Sequence, residues 1–375
     1  MTDTAQGSDK NPGKDQPKKS IREIRINPVV PTESVLVATA RSMRPKQAEQ
    51  AAPRDTRHHV DTCPFCTGNE HMTPPQISTY PNDEKWEIRI VENLYPVLGD
   101  DQRSSDFSFG LQQTIDGYGR HEVIIDHDHH GIGVHEMTAE HLAMLFGAYR
   151  DRIVQLYESD DRLRYVLVFK NFGPAAGGSI PHTHSQIIAT PVIPENVQSE
   201  MTHSHAYYEK RHRCIFCSLI DEALTFEATI YDRESGEVHR RIDVGQYVIE
   251  RTKHFIAIKP FASRYEWEVH IYPLDHEADF QNINDDQLND LGYLLKHTMG
   301  RLDAVLGGVQ YNYFMHSLPR GVGEGIKQSY HWHLEICPRT SIPTGFELGS
   351  GLFVNTVSPE EAAQQLREAH IENED

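Results

Sequence analysis

Residues Gly177 Gly178 Ser179 Ile180 Pro181 His182 Thr183 His184 Ser185 Gln186 set two histidines one residue apart behind a glycine-rich bend, with a glutamine two positions on. In an extended backbone alternate side chains share a face, so His182, His184 and Gln186 are expected to address one ligand. A neutral imidazole nitrogen is a competent nucleophile toward phosphorus. Attack there builds negative charge on phosphoryl oxygens, which Gln186 and the N–H groups of Gly177 to Ser179 would stabilise, so no catalytic metal is required. Glycine at the bend lets backbone amides approach a phosphate closely.

Four of the five cysteines form two Cys-x-x-Cys pairs, Cys63/Cys66 and Cys214/Cys217, a spacing that in a large chain points to metal rather than disulfides. Two thiolates need two more ligands to complete the tetrahedron that Zn²⁺ favours. For the first pair these are expected to be His130 and His182. That assignment leaves His184 as the nucleophile, held in place by its metal-bound neighbour. For the second pair, repeat symmetry nominates His276 and His331, whereas His254 and His316 sit at the ends of other core strands; either set predicts a structural zinc. Cys337 reads as a buried apolar residue.

The elements that must position these groups come as an internal repeat with a period of about 150 residues. Cys63 Pro64 Phe65 Cys66 recurs as Cys214 Ile215 Phe216 Cys217. Glu122 Val123 Ile124 Ile125, followed by His130, recurs as Glu268 Val269 His270 Ile271, followed by His276. His182 Thr183 His184 Ser185 Gln186 recurs as His331 Trp332 His333 Leu334 Glu335. Between the second and third landmarks each half carries an amphipathic helix: Leu142, Leu145, Phe146, Tyr149, Ile153 and Leu156 behind Thr138 as N-cap, and Leu288, Leu291, Leu295, Met299 and Leu302 following Asp285. Each helix leads into a strand, Tyr165 to Phe169 or Tyr311 to Phe314. The expected fold class is α+β, two repeats each made of an antiparallel sheet with a long helix packed on it. The expected divisions are a disordered arm over 1–20, a catalytic half over 21–195 and a second half over 196–375, joined near 195–212.

A net charge of −19 excludes a nucleic-acid backbone as the main partner but leaves room for a small anionic substrate held by local basic residues. No apolar run is long enough to span a membrane and the start is polar, so a cytoplasmic protein is expected.

Taken together, Cys63/Cys66, His130 and the Gly-Gly-Ser-x-Pro-His-x-His-x-Gln run resemble the nucleotidyl-transferase branch of the histidine triad superfamily, typified by galactose-1-phosphate uridylyltransferase. The resemblance covers roughly residues 28–370, including Gly345 Phe346 Glu347 and the helix from Pro359 to His370. It implies transfer of UMP from UDP-glucose to galactose 1-phosphate through a covalent nucleotidyl-histidine, by ping-pong kinetics, within galactose and carbohydrate metabolism. The substrates implied are a nucleoside diphosphate sugar and a sugar 1-phosphate; homodimers whose active sites use both chains are also implied. His184 then matches the nucleophile, Gln186 the phosphoryl-contacting glutamine, and Ser179 and Asn171 the residues that orient substrate phosphates. Arg41 and Arg44 match an N-terminal arginine pair, and Asn93 a segment lining the nucleoside pocket.

Two departures bear on specificity. The uridylyltransferase motif reads His-Pro-His-Gly-Gln, whereas His-Thr-His-Ser-Gln here is closer to the related ADP-glucose phosphorylases, which transfer AMP to phosphate. A diadenosine polyphosphate phosphorylase is a further reading of the same chemistry, and a zinc-stabilised nucleotide-binding protein without turnover is one outside it. The second Cys-x-x-Cys is similar to that of the ADP-glucose phosphorylases, which implies a second zinc on Cys214, Cys217, His254 and His316. Some uridylyltransferases instead imply Glu200, His316, His331 and His333. Because the second His-x-His ends in Glu335, a carboxylate that would repel phosphate, that copy is expected to be non-nucleophilic.

Overall fold

The computed structural model describes residues 20–43, 54–101 and 105–371. Arg44 and nearly all of the expected arm over 1–20 lie outside the described residues. The longest helices among the described residues are α1 (Ala139–Ser159), α2 (Glu195–Arg211), α3 (Ile215–Thr225) and α4 (Asp285–Leu306), and the expected helix near the end of the chain spans Pro359–Glu368. The apolar stripes foreseen in α1 and α4 are buried. Thr138 caps α1 by accepting from the His141 amide at 3.1 Å. Asn284, the residue before the expected start of α4, closes a reciprocal capping box with Gln287, 3.0 Å in each direction. The helix stops at Gly307, whose φ of +68° suits glycine. The two helices pack on each other so closely that a Cβ at Gly292 of α4 would lie 2.4 Å from the Ala139 carbonyl oxygen of α1.

Ten strands form one sheet: β1 (Gln76–Tyr80), β2 (Ile88–Glu92), β3 (Arg120–Ile125), β4 (Tyr165–Phe172), β5 (His184–Thr190), β6 (Val248–Arg251), β7 (Phe255–Ile258), β8 (Val269–Pro273), β9 (Tyr311–His316) and β10 (His333–Pro338). Their spatial order is β6-β7-β8-β10-β9-β4-β5-β3-β2-β1, antiparallel throughout. Read outward from the centre, each half repeats the same order, which bears out the α+β duplication. The separate half-sheets expected from sequence instead join edge to edge through β4 and β9, a pairing that leaves neither central strand with an open edge.

The main core lies between one face of this sheet and α1 with α4, and includes Leu145, Phe146, Ile187, Leu291, Leu295 and Leu334. On the opposite face a small cluster of Cys63, Phe65, Cys66, Trp86, Val91, Val123 and Ile125 fills the first half. A larger one around Phe216, Ile256, Tyr272 and Tyr330 fills the second. Residues 22–26 pair with 34–38, which pair in turn with 353–355. Arg25 bonds Glu360, so the start of the described chain packs on the second half.

Candidate active site and metal centres

Strand β5 begins at His184 with His182 just before it, and the pleat sorts the motif as expected: Thr183 and Ser185 face α1, while His182, His184 and Gln186 face the other way. The loop ahead of it is set by Gly173 and Gly177, at φ +85° and +83°. The N–H groups of Gly177 and Gly178, expected to meet phosphate, instead donate within the loop to Pro174 O at 3.0 Å and Gly173 O at 2.9 Å. A tight glycine bend satisfies its own donors first. Ser179, exposed, lines a cavity of about 610 Å³ with Gly178, Pro181, Arg54 and Gln310, a volume in the range of small-molecule sites.

His184 Nδ1 lies 2.8 Å from the His182 carbonyl, which must accept, so the proton sits on Nδ1 and Nε2 carries the lone pair. Burial holds this imidazole below its ordinary pKa, hence neutral. Phe65, inside the Cys-x-x-Cys turn, packs edge-on against it with ring centroids 5.3 Å apart. Gln186 is oriented by His121, a residue sequence reasoning missed. The Val97 amide donates to His121 Nδ1 at 3.2 Å, which places the proton on Nε2, and Nε2 donates to Gln186 Oε1 at 2.8 Å. The Gln186 NH₂ group is thereby turned away from His121. Asn93 sits 3.1 Å from the same His121 nitrogen, and Asn171 Oδ1 accepts from Asn312 of the second half at 2.7 Å. Arg41 is not brought to this site; it borders a pocket of the second half beside Thr344 and Glu347.

Cys63, Cys66, His130 and His182 converge with their ligand atoms within 4.8 Å of one another. His182 donates from Nε2 to the His127 carbonyl at 2.8 Å, leaving Nδ1 to face Cys63 and Cys66 Sγ at 3.7 and 3.5 Å; His130 Nδ1 is 3.5 Å from Cys66 Sγ. Sulfur and nitrogen ligands about a tetrahedral zinc would stand roughly 3.5 Å apart, given bonds of about 2.3 and 2.0–2.1 Å. The donor types, the spacing and the tautomer fixed by the outer hydrogen bond therefore all fit a metal ion. Burial lowers the His182 pKa to about 3, keeping its lone pair available.

The second cluster repeats this design with Cys214, Cys217, His276 and His331. His276 and His331 present Nδ1 to Cys217 Sγ at 3.4 and 3.6 Å, while their Nε2 groups donate to Lys327 O and Pro273 O. This corrects the expected ligands His254 and His316. His254, ahead of β7, bonds Asp286 at 2.7 Å, and His316, at the end of β9, bonds Glu200 at 2.9 Å. The reason is positional: His276 follows β8 and His331 precedes β10, as His130 follows β3 and His182 precedes β5, so the duplicated Cys turn meets the same strand ends.

The second His-x-His shares the first one's backbone bond, His333 Nδ1 to His331 O at 3.1 Å. Its Nε2, however, faces carboxylates, with Glu335 at 3.5 Å and Glu200 at 3.9 Å. Although burial would raise its pKa, Glu335 is held well below the usual carboxylate range by His270 and Arg264. Glu200, His316, His333 and Glu335 form a compact group of potential ligands, from which His331 is absent because the Cys cluster claims it. An ionised Glu335 where the first half has Gln186 leaves no amide to meet a phosphate.

A buried, neutral imidazole at the start of an inner strand with an oriented amide on the same face, backed by a Cys₂His₂ cluster, is an apparatus suited to nucleotidyl transfer. A family model, the N-terminal domain of galactose-1-phosphate uridyl transferase, matches residues 14–194. An ADP-glucose phosphorylase of Arabidopsis thaliana is 32% identical over 99% of this chain and 100% of its own. A galactose-1-phosphate uridylyltransferase of Thermotoga maritima is 26% identical over 93% and 99%. Among solved structures, an ADP-glucose phosphorylase from Arabidopsis thaliana with bound ADP-glucose superposes with a TM-score of 0.78 at 31% identity, covering 94% of this chain and all of that one. The chain belongs to the galactose-1-phosphate uridylyltransferase family and is one of its nucleotidyltransferases.

Proposed function

We propose that the protein moves AMP from an ADP-hexose to orthophosphate through a nucleotidyl-His184 intermediate. In the first step His184 Nε2 forms a bond to the α-phosphorus as the bond from that phosphorus to the bridging oxygen breaks, and hexose 1-phosphate leaves. In the second, a phosphate oxygen attacks the same phosphorus, ADP leaves, and Nε2 regains its lone pair. The observation that carries this reading is the Nδ1–H bond from His184 to the His182 carbonyl, which commits Nε2 to attack on the face shared with Gln186. Gln186, Asn171 and Ser179 would contact the phosphates and Asn93 the nucleoside. Both Cys₂His₂ clusters would hold zinc in a structural role.

Adenylyl rather than uridylyl transfer is favoured by the full-length likeness to an ADP-glucose phosphorylase, and by Thr183 and Ser185 standing where the uridylyltransferase motif has Pro and Gly. Uridylyl transfer from UDP-glucose to galactose 1-phosphate is the second reading, supported by the family model and the Thermotoga maritima relative. Because Arg41 lies on the second half, away from His184, it would act in the site of the other subunit of a homodimer.

Incubating the protein with ADP-glucose, UDP-glucose or a diadenosine polyphosphate, each labelled at the α-phosphorus, followed by denaturing electrophoresis, distinguishes these readings. Label retained from ADP-glucose and discharged by orthophosphate is the expected result. Label from UDP-glucose discharged by galactose 1-phosphate would establish the second reading, and no label from any donor would leave a nucleotide-binding protein without turnover.

A further inference from the structure

The strand that carries His184 rests on a fully buried ion pair. Lys170 of β4 and Asp126, just past β3, are both 0% exposed. Lys170 Nζ has three N–H donors and three acceptors, namely Asp126 Oδ2 at 2.5 Å, Thr183 Oγ1 at 2.7 Å and the His184 carbonyl at 3.1 Å. Asp126 Oδ2 also accepts from Ser185 Oγ at 3.0 Å, and the Asp126 amide donates to Thr183 O at 3.2 Å. Ser185 Oγ stands 2.6 Å from Tyr149 Oη of α1 and 3.1 Å from Tyr313 Oη of β9, and those two hydroxyls are 2.7 Å apart. Three successive carbonyls are therefore committed: that of His182 to the His184 ring, that of Thr183 to the Asp126 amide and that of His184 to the Lys170 ammonium.

The other half shows that the fold does not need this arrangement. Phe169 pairs with Gln186 as Phe314 pairs with Glu335, so the residues matching Lys170, Ser185 and Thr183 are Met315, Leu334 and Trp332. The same sheet and helix layers there enclose an apolar core. A buried ion pair is seldom more stabilising than apolar side chains of similar volume. Its presence beneath the histidine able to attack phosphorus, where the matching positions beneath His333 are apolar, calls for a role other than stability.

We infer that Lys170 and Asp126, extended by Thr183, Ser185, Tyr149 and Tyr313, are positioning residues that hold the backbone of His184 so that its Nε2 stays in line with the α-phosphorus. The inference rests on nucleotidyl transfer through His184. Tyr313 comes from the second half, so the degenerate repeat supplies part of the support for the nucleophile. None of these side chains shares the face of His184, so they act on the rate of attack and not on the binding of the donor.

The test is single-turnover formation of labelled nucleotidyl-enzyme in the full chain, over a range of ADP-glucose concentrations, or of UDP-glucose if that is the donor found to label the wild type. Tyr313→Phe, Ser185→Ala and the double variant Lys170→Met/Asp126→Asn are compared, with circular dichroism and metal content recorded for each. The expected result is a maximal rate lowered by about ten- to a hundredfold, the scale of loss when a nucleophile is slightly misplaced. The half-saturating concentration and metal content should stay at wild-type values. Folded variants that label at the wild-type rate, or that change only the half-saturating concentration, overturn the inference while nucleotidyl transfer stands. A wild-type protein that takes no label from any donor removes the reading beneath it. Should the double variant fail to fold, Tyr313→Phe and Ser185→Ala, each losing one hydroxyl, decide the matter.

Discussion

Phe169 and Phe314 face each other at the centre of the sheet, and each also pairs with the last residue of its own His-x-His motif, Gln186 or Glu335. This pair marks the pseudo-two-fold relation between the halves. On either side of it, identical topology carries unlike chemistry: a neutral amide beside His184, and an ionised carboxylate beside His333.

The duplicated Cys₂His₂ clusters, each proposed to hold zinc, make distinct predictions. His182→Ala and His331→Ala should each cost one of two bound zinc equivalents and lower the thermal midpoint, because folding and metal binding are coupled. His254→Ala and His316→Ala should retain both equivalents. Metal analysis of the purified variants checks this, and loss of zinc from His254→Ala would restore the ligand set expected from sequence.

The proposed action of Arg41 in the site of the other subunit predicts complementation. Arg41→Ala and His184→Gly homodimers should both be strongly impaired, the latter by roughly 10⁴-fold or more, as for loss of other nucleophiles. Co-expressed, they should form mixed dimers with one intact site and recover a substantial fraction of wild-type turnover. Turnover in the mixture no higher than in the better homodimer would place Arg41 outside the opposite site.

Lys259 gives a pH dependence of stability. Burial lowers its pKa from 10.5 to about 7, and its ammonium finds the Tyr265 carbonyl at 3.1 Å. Between pH 7 and 10.5 the unfolded chain binds a proton that the folded chain does not, so this residue makes stability rise with pH across that window. Below pH 7 both states are protonated and its contribution is flat. Urea unfolding from about pH 6.5 to about 9.5 should show a shallower rise in Lys259→Met than in wild type; parallel curves would contradict the assignment.

Packing between α1 and α4 makes Gly292 sensitive to any side chain. Since a Cβ would stand 2.4 Å from the Ala139 carbonyl, the helices must separate to admit one. Gly292→Ala should destabilise the protein by about 1–3 kcal/mol, the usual scale of overpacking, despite alanine's better helix propensity. Denaturant unfolding reads the sign directly.

The amino-acid sequence by itself determined the duplication, the two amphipathic helices, the face shared by His182, His184 and Gln186, and the gathering of Cys63, Cys66, His130 and His182. These follow from periodicity and from landmarks repeated in order, which local geometry converts directly into faces and strand ends. Phe65 was legible in principle, since Phe216 recurs at the same place in the second turn. Choosing between His276 with His331 and His254 with His316 needed tertiary structure, because all four lie near strand ends and sequence does not say which ends a Cys turn covers. Tertiary structure alone also turned Gly177 and Gly178 inward, set His121 behind Gln186 and joined the half-sheets through β4 and β9. Lys170, Asp126 and Tyr313 carried no signal in spacing: they come from strand, loop and opposite repeat, and only long-range sheet pairing brings their polar atoms together beneath His184.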